Sequence, residues 1–586
     1  MIGLARLPSR ALRLLGPGLL AACLLAGCAP PAPQEPDAPD ATAPAALSAR
    51  QVGRQAAVAV ADPHAAQAAV EVLKAGGNAV DAAVTAAFVL AVTKPYAGNI
   101  GGGGFMTIYV NGRARFLDYR ETAPSLAGRD MYLDAQGEVD RLASIVGHRA
   151  VGVPGTVAGL WAAHQKYGGM PWAELLAPAV KLAREGFVAD SELEAAVRSA
   201  APRLADTNFA DYFGALTAGE VFRQPELADT LGRLSREGPA EFYRGHTAAL
   251  IVSEMIHGGG LVKAKDLLAY NPVWREPITF DWRGYRVVTA PLPSSGGLAI
   301  AQFLKMRELR GADFAGLTHN SAGYVHLKAE IEKRIFADRA RYLGDPDFVE
   351  VPLERLLADD YIKARAAQID PQAISAPESV PVVKEGSHTT HFSILDGEGN
   401  AVSNTYTLNT NFGSGVVVSG GGFLLNNEMD DFSVAPGVPH YYGVVGDEAN
   451  AIEPGKRMLS SMSPTVVLRG DGVAMVVGGM GGSTIFTTVY QVMLNLVEFG
   501  MDAREAVAAT FVHHQLLPPE LITHTPGEAL DAETVSGLQA RGYRVEPHFS
   551  SFGEIQLIWA RADGEIEAAS DPRFPGESRV VDLPAP

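Results

Sequence analysis

The sequence holds 586 residues, 47% of them hydrophobic and 19% charged, enough apolar side chain for a substantial globular core and too much for a disordered chain. A formal charge of −18 and a pI near 5.3 repel phosphate backbones and anionic headgroups, which excludes nucleic-acid binding. The two cysteines, Cys23 and Cys28, both lie close to the N-terminus, so disulfides, thiol nucleophiles and thiolate metal ligands are excluded from the rest of the chain.

In chain order, Arg6, Arg10 and Arg13 precede an apolar run, Leu14 to Leu25, that ends in Leu25-Ala26-Gly27-Cys28. The run is short and broken by Gly16, Pro17 and Gly18, so residues 1–27 read as an export signal and not as a membrane span. Leu-Ala-Gly-Cys resembles the bacterial lipobox, which implies a lipid on Cys28 and a membrane as partner through that anchor. Ala29 departs from the aspartate pattern of lipoproteins kept in the inner membrane, so the expected location is the periplasmic face of the envelope, at the outer membrane. Residues 28–46 are rich in Pro, Ala and Asp and read as a tether, with folding expected from about Leu47.

Asp62-Pro63, an Ala/Val/Leu-rich stretch to Lys74 and then Gly76-Gly77 spell an N-cap, a first-turn proline and a stop, predicting a helix. A second helix is predicted from Asn78 to about Val92. Gly101-Gly102-Gly103-Gly104 enters a strand at Phe105–Val110; a phosphate loop would open a helix, so these glycines are read as backbone crowding. Residues from about Val153 to Lys265 read as helices. A strand at Tyr285–Thr289, a turn at Pro291–Gly297 and further helices to about Arg365 follow. After a Pro-containing stretch the texture turns to β, with hairpins at His391–Leu395/Ala401–Leu408 and Thr465–Leu468/Val473–Val477. Helices return after Gly482. This order suggests α+β or a four-layer αββα sandwich, between which periodicity does not choose.

The chemistry concentrates late in the chain. Gly386-Ser-His-Thr-Thr-His-Phe-Ser393 places a Thr where irregular chain meets a strand, a weak signal alone because β-propensity also explains it. Asn404-Thr-Tyr-Thr-Leu-Asn-Thr-Asn-Phe-Gly-Ser-Gly415 puts Thr407 and Asn409 on one face of the partner strand. Leu425-Asn-Asn-Glu-Met-Asp-Asp-Phe432 supplies Glu428 and Asp431, Leu459-Ser-Ser-Met-Ser-Pro464 supplies Ser460 and Ser461, and Gly478-Gly-Met-Gly-Gly-Ser483 leads into a helix. His388, His391, His513 and His514 form no HExxH or HxH pattern, so neither a metal site nor any cofactor is expected. The absence of G-x-S-x-G disfavours a serine hydrolase.

Together, in this order, these segments resemble γ-glutamyltranspeptidase, of the N-terminal-nucleophile hydrolase superfamily, from about Gln55 to Arg573. The resemblance implies the αββα sandwich, built jointly by two subunits after the precursor cuts itself between His388 and Thr389. The large subunit would be residues 47–388 beyond signal and tether, and the small catalytic subunit residues 389–586. Thr389 is then the nucleophile, its new α-amine the base, Thr407 its orienting partner, and Gly481 and Gly482 the oxyanion donors. Arg120, in Phe116-Leu-Asp-Tyr-Arg-Glu121, with Ser460 and Ser461, matches the grip on a substrate α-carboxylate. Asn409, Glu428 and Asp431 match the α-ammonium side. Pro436 to Lys456 resembles a lid loop, with Tyr442 as its covering aromatic.

The activity so implied is cleavage of glutathione and other γ-glutamyl amides, with transfer to water, amino acids or peptides. A glutaryl or β-lactam side-chain acylase on the same fold is the rival enzyme, and an inactive lipid-tethered binding protein the rival from another class. Departures from the family pattern cluster beside the site: Met458 in place of a proline, Gly479-Met480 in place of Ser-Pro, Thr484 in place of Arg, and no Pro-Arg pair near Phe511–Gln515.

Overall fold

The structure, a computed structural model, describes residues 55–376, 389–435, 438 and 443–584. Two antiparallel sheets dominate it. The first orders its seven strands as Glu577–Asp582, Gln55–Val60, Thr390–Leu395, Ala401–Thr407, Gly103–Val110, Arg113–Tyr119 and Val273–Arg275. The second orders six as Ile566–Ser570, Gly553–Ala560, Gly472–Met480, Thr465–Arg469, Tyr285–Thr289 and Ile278–Trp282. Both hairpins foreseen in the sequence take central positions.

Three apolar layers stack these sheets between helices. Pro63–Lys74 and Ala79–Thr93 share a core with Val58, Val60, Phe392, Ile394 and Val402 on the outer face of the first sheet. Ala57, Ala59, Leu395, Val466, Val476 and Ile558 fill the space between the sheets. Gly296–Leu309, Ala322–Tyr342 and Ile485–Val497 pack on Val467, Met475, Val477 and Leu557 of the second sheet. Alternate residues of one strand therefore serve two different cores, the period-two requirement of a doubly covered sheet. The fold is α+β, in the αββα order.

Local rules account for the elements that carry this frame. Asp62 Oδ1 accepts from Ala65 N at 2.9 Å and Pro63 opens the first helix, while Asn78 and Asp81 form a reciprocal capping box at the second. The glycine run is crowded, as the sequence suggests: a Cβ on Gly102 would stand 2.0 Å from the Thr407 carbonyl oxygen. Close approach there lets the strand ending at Thr407 sit against the loop that enters Gly103–Val110.

Lys94, just past the second helix, meets Glu554 in a buried ion pair and also donates to the Ala61 carbonyl at 3.4 Å. Glu554 has a left-handed backbone, φ 39°, and its neighbour Gly553 pairs with Met480, the residue before Gly481. Burial pushes the Glu554 carboxyl up to about 7 even against the opposing pull of Lys94. Lys94→Met is therefore expected to lower the unfolding free energy by ~3–5 kcal/mol at alkaline pH. The loss should shrink in mildly acid solution, because an unpaired Glu554, its folded pKa raised further above the unfolded one, takes up a proton as pH falls. Denaturant titrations at the two pH values measure this; an equal loss at both would show that the Glu554 charge is not its source.

Candidate active site

The central strands of the two sheets deliver their ends to one cavity of about 340 Å³, lined by Arg120, Arg339, Thr389, Thr407, Asn409, Glu428, Asp431, Val444, Ser460, Ser461, Met462, Gly482, Ser483 and Ile485. Thr389 stands immediately before Thr390–Leu395 and is 5% exposed. Its Oγ1 donates to Thr407 Oγ1 at 3.4 Å, and the same oxygen accepts from Asn409 N at 2.8 Å. Thr407 closes its strand and Asn409 turns away with φ 77°, so the pair foreseen as one strand face is a strand end and the turn after it.

Opposite, Gly472–Met480 runs out into Gly481, φ 141°, and Gly482, φ 55°, before a short 3-10 turn that enters Ile485–Val497. Helix N-terminal N–H groups are left without intrahelical partners, which suits them to hold negative charge. A Cβ on Gly481 would stand 2.0 Å from Thr484 Oγ1. Thr484 Oγ1 in turn donates to the Gly481 carbonyl at 2.8 Å, so this departure from the family pattern clamps the glycine turn.

Arg120 lies at the heart of the cavity, 1% exposed. Its Nη1 is 2.7 Å from Glu428 Oε2 and 3.7 Å from Glu121 Oε2, its Nη2 pairs with Asp431, and its Nε donates to the Met458 carbonyl at 3.3 Å. The sequence reading put Arg120 and the carboxylates on opposite sides of a substrate; the structure brings them into contact. An unpaired buried guanidinium would be costly, which is the physical reason. Burial alone would discharge Arg120, but Glu428, Asp431 and Glu121 outweigh it and hold the guanidinium above its ordinary pKa. Burial likewise drives the Glu428 carboxyl well up, with Arg120 opposing, and lifts Glu121 to about 8.

Ser460 and Ser461 are held by the turn before Gly296–Leu309: Ser460 N donates to the Pro293 carbonyl at 2.9 Å and the Ser460 carbonyl accepts from Ser295 N at 2.8 Å. Met458 is a packing residue, fully buried among Ala123, Tyr132, Met429 and Phe432. Met480 is the last residue of its strand and 6% exposed. The segment without a Pro-Arg pair also reaches the site, since Gln515 Oε1 accepts from Ser483 Oγ at 2.9 Å and faces His513 Nε2 at 2.9 Å. His391 is enclosed between Thr405 Oγ1, 2.8 Å, and Ser393 Oγ, 3.1 Å, where burial drops its imidazole to about 3 and keeps it neutral.

The cavity thus gathers Thr389, Thr407, Gly482, Arg120, Asn409, Glu428, Asp431, Ser460 and Ser461, with Gly481 one residue behind. Of the expected lid, Val444 lines the cavity, whereas Tyr442 lies outside the described residues, as do His388 and Cys28. Sequence reasoning missed Arg339 and Glu121. Among the described residues no group of His, Cys, Asp or Glu is arranged to hold a metal ion, and no helix is long and apolar enough to cross a membrane.

The family model for gamma-glutamyltranspeptidase matches residues 65–581. The chain belongs to the gamma-glutamyltranspeptidase family. It is 56% identical over 527 residues to a glutathione hydrolase proenzyme of Pseudomonas aeruginosa, a match covering 90% of this chain and 94% of that protein. A solved gamma-glutamyltranspeptidase from Pseudomonas nitroreducens, complexed with L-DON, is 54% identical with a TM-score of 0.53, covering 54% of this chain and 94% of its own. A cephalosporin acylase from Bacillus halodurans is 28% identical with a TM-score of 0.78, covering 93% of this chain and 99% of its own. A cephalosporin acylase therefore shares this fold.

Proposed function

We propose that this enzyme cleaves glutathione and other γ-glutamyl amides through a γ-glutamyl ester on Thr389, passing the acyl group to water or to amino acids and peptides. The observation that carries the substrate class is Arg120 set between Glu428 and Asp431 beside Ser460 and Ser461. An α-amino acid head brings one charge of each sign, so it can take a place between Arg120 and Asp431 and leave neither charge unpaired. A glutaryl head carries a carboxylate alone and would strand a buried Asp431, a penalty of several kcal/mol. That asymmetry favours γ-glutamyl over the acylase reading.

In the proposed cycle the precursor cuts between His388 and Thr389, giving a large subunit that ends at His388 and a small one, Thr389–Pro586. The freed α-amine, with a reference pKa of roughly 7.7–8.0, takes the Thr389 hydroxyl proton near neutral pH. Thr389 Oγ1 attacks the γ-carbonyl carbon and the carbonyl oxygen becomes an oxyanion facing the Gly481 and Gly482 N–H groups, each such donor being typically worth ~10²–10³-fold in rate. Collapse breaks the C–N bond, the leaving amine takes the proton, and water or an acceptor amine then attacks the ester. Thr407 orients the hydroxyl and Asn409 joins Glu428 and Asp431 at the ammonium; Val444 lines the cavity, and Tyr442 is the lid aromatic that the family resemblance implies. Residues 1–27 direct export, and a lipid on Cys28 with the 28–46 tether holds the enzyme at the periplasmic face of the outer membrane.

The test is one purified sample, examined for subunit masses and new N-terminus and assayed on a γ-glutamyl anilide beside a glutaryl one. A Thr389 terminus with γ-glutamyl turnover is expected. Cleavage with glutaryl turnover alone would move the assignment to acylase, and an intact inactive chain would leave a tethered binding protein.

A further inference from the structure

The second cation in the cavity has no part in the scheme so far. Arg339 projects from Ala322–Tyr342, is 5% exposed, and lines the same cavity as Ser461. Its Nε donates to Ser295 Oγ at 3.2 Å and its Nη2 to Ser461 Oγ at 3.4 Å. We propose that Arg339 is a specificity-determining residue that turns the Ser461 hydroxyl into a donor aimed at the α-carboxylate of the donor substrate. This deepens the γ-glutamyl reading above and rests on it.

The argument is one of proton direction. A hydroxyl has one proton to give and accepts with its lone pairs. Arginine has only protons to give, so the Ser461 oxygen accepts from Arg339. The Ser295 proton goes to the Ser460 carbonyl at 2.8 Å and leaves Ser461 a further neighbour at 3.5 Å. The Ser461 proton is then shared between Ser295 Oγ, 3.5 Å away, and the cavity, where an incoming carboxylate is the stronger acceptor. Ser460 behaves alike, since its Oγ accepts from Met462 N at 3.1 Å. Two O–H groups whose oxygens are already engaged as acceptors form a site for an anion, and a fixed guanidinium behind one of them strengthens its donation.

The two arginines touch different groups. Arg120 lies against Glu428, Asp431 and Glu121, whereas the guanidinium that touches the serine side is that of Arg339, which donates to Ser295 and Ser461. The cavity is then divided, with an anion-rich end around Asp431 for the ammonium and a cation-backed serine pair for the carboxylate. A group acting through Ser461 should alter binding of the carboxylate and leave the acyl-transfer step at Thr389 almost untouched.

The experiment compares wild type, Arg339→Met and Arg339→Lys as cleaved enzymes. The kcat and KM are measured on a γ-glutamyl anilide, and competitive inhibition is measured with glutamate and with 4-aminobutyrate, which lacks only the α-carboxylate. Arg339→Met is expected to raise KM and the glutamate Ki about 10-fold or more, as loss of a charge-assisted hydrogen bond does. Its kcat and its 4-aminobutyrate Ki should stay within about twofold of wild type, with Arg339→Lys between the two. Parallel losses for both inhibitors, or a fall in kcat with KM unchanged, would show a merely structural arginine and overturn the proposal. If Arg339→Met does not fold, the same split read on Arg339→Lys decides it. Wild type without γ-glutamyl turnover would sink the substrate reading and this inference together, whereas wild-type turnover with parallel losses sinks the inference alone.

Discussion

Thr389→Ala is expected to yield a single uncut chain with turnover of γ-glutamyl anilide at least ~10⁴-fold below wild type, the scale of losing a covalent nucleophile. In the proposed cycle two roles meet in this one hydroxyl, which attacks the preceding carbonyl once in maturation and then the substrate carbonyl in every turnover. The structure shows it buried, hydrogen-bonded to Thr407, and lining the cavity with Gly482. Removing the γ-methyl alone, in Thr389→Ser, keeps the oxygen and frees its rotamer, so cleavage should persist with slower turnover. Subunit masses and steady-state rates separate the cases. An alanine variant that still cuts itself and still turns over the anilide would remove Thr389 from the chemistry.

The site was legible where its residues fall in short local runs. Thr407 and Asn409, Glu428 and Asp431, Ser460 and Ser461, and Gly481 and Gly482 each lie within four residues of one another, and the structure sets these runs around one cavity. Arg339 had no such signal. It sits in Lys328–Tyr342, a stretch so dense in charge that its composition reads as a solvated helix, yet nearly all of Ala322–Tyr342 is buried. Ion pairs internal to the stretch make this tolerable, Glu330 holding Lys333 at 2.8 Å and Arg334 at 3.0 Å, while Gln302 from Gly296–Leu309 adds a hydrogen bond to Asp338 at 3.0 Å. Burial of a paired charge is a tertiary property that no period reveals.

The sheets show the same division. The hairpins at Thr390–Thr407 and Thr465–Met480 are joined by turns whose residues announce them. Gln55–Val60 pairs with Glu577–Asp582 across almost the whole chain, and neither segment carries a local mark of that partner. Ala-rich Gln55–Val60 has modest strand propensity by itself; it is a strand because Thr390–Leu395 and Glu577–Asp582 supply ladders on both edges. The C-terminal strands Gly553–Ala560 and Ile566–Ser570 went unread although they form a hairpin across Asp563-Gly564.

Arg120→Met should cost at least ~10²–10³-fold in kcat/KM, most of it as raised KM, because truncating one member of a buried charge network strands the others. The loss has two sources that a second variant can separate. Arg120 lies 2.7 Å from Glu428, pairs with Asp431 and stands 3.7 Å from Glu121, and in the proposed cycle it also meets the substrate carboxylate. Arg120→Lys keeps the charge but offers a compact ammonium without the planar fork that spans Glu428 and Asp431 together. It should therefore restore part of the thermal stability lost in Arg120→Met while recovering little of the affinity for glutamate as an inhibitor. Pairing Arg120→Met with Asp431→Asn sharpens the test: removing the stranded charge should recover stability without activity. If lysine restored affinity as fully as stability, the role of Arg120 would be charge balance among the carboxylates, and recognition of the α-carboxylate would fall to Ser460, Ser461 and the arginine behind them.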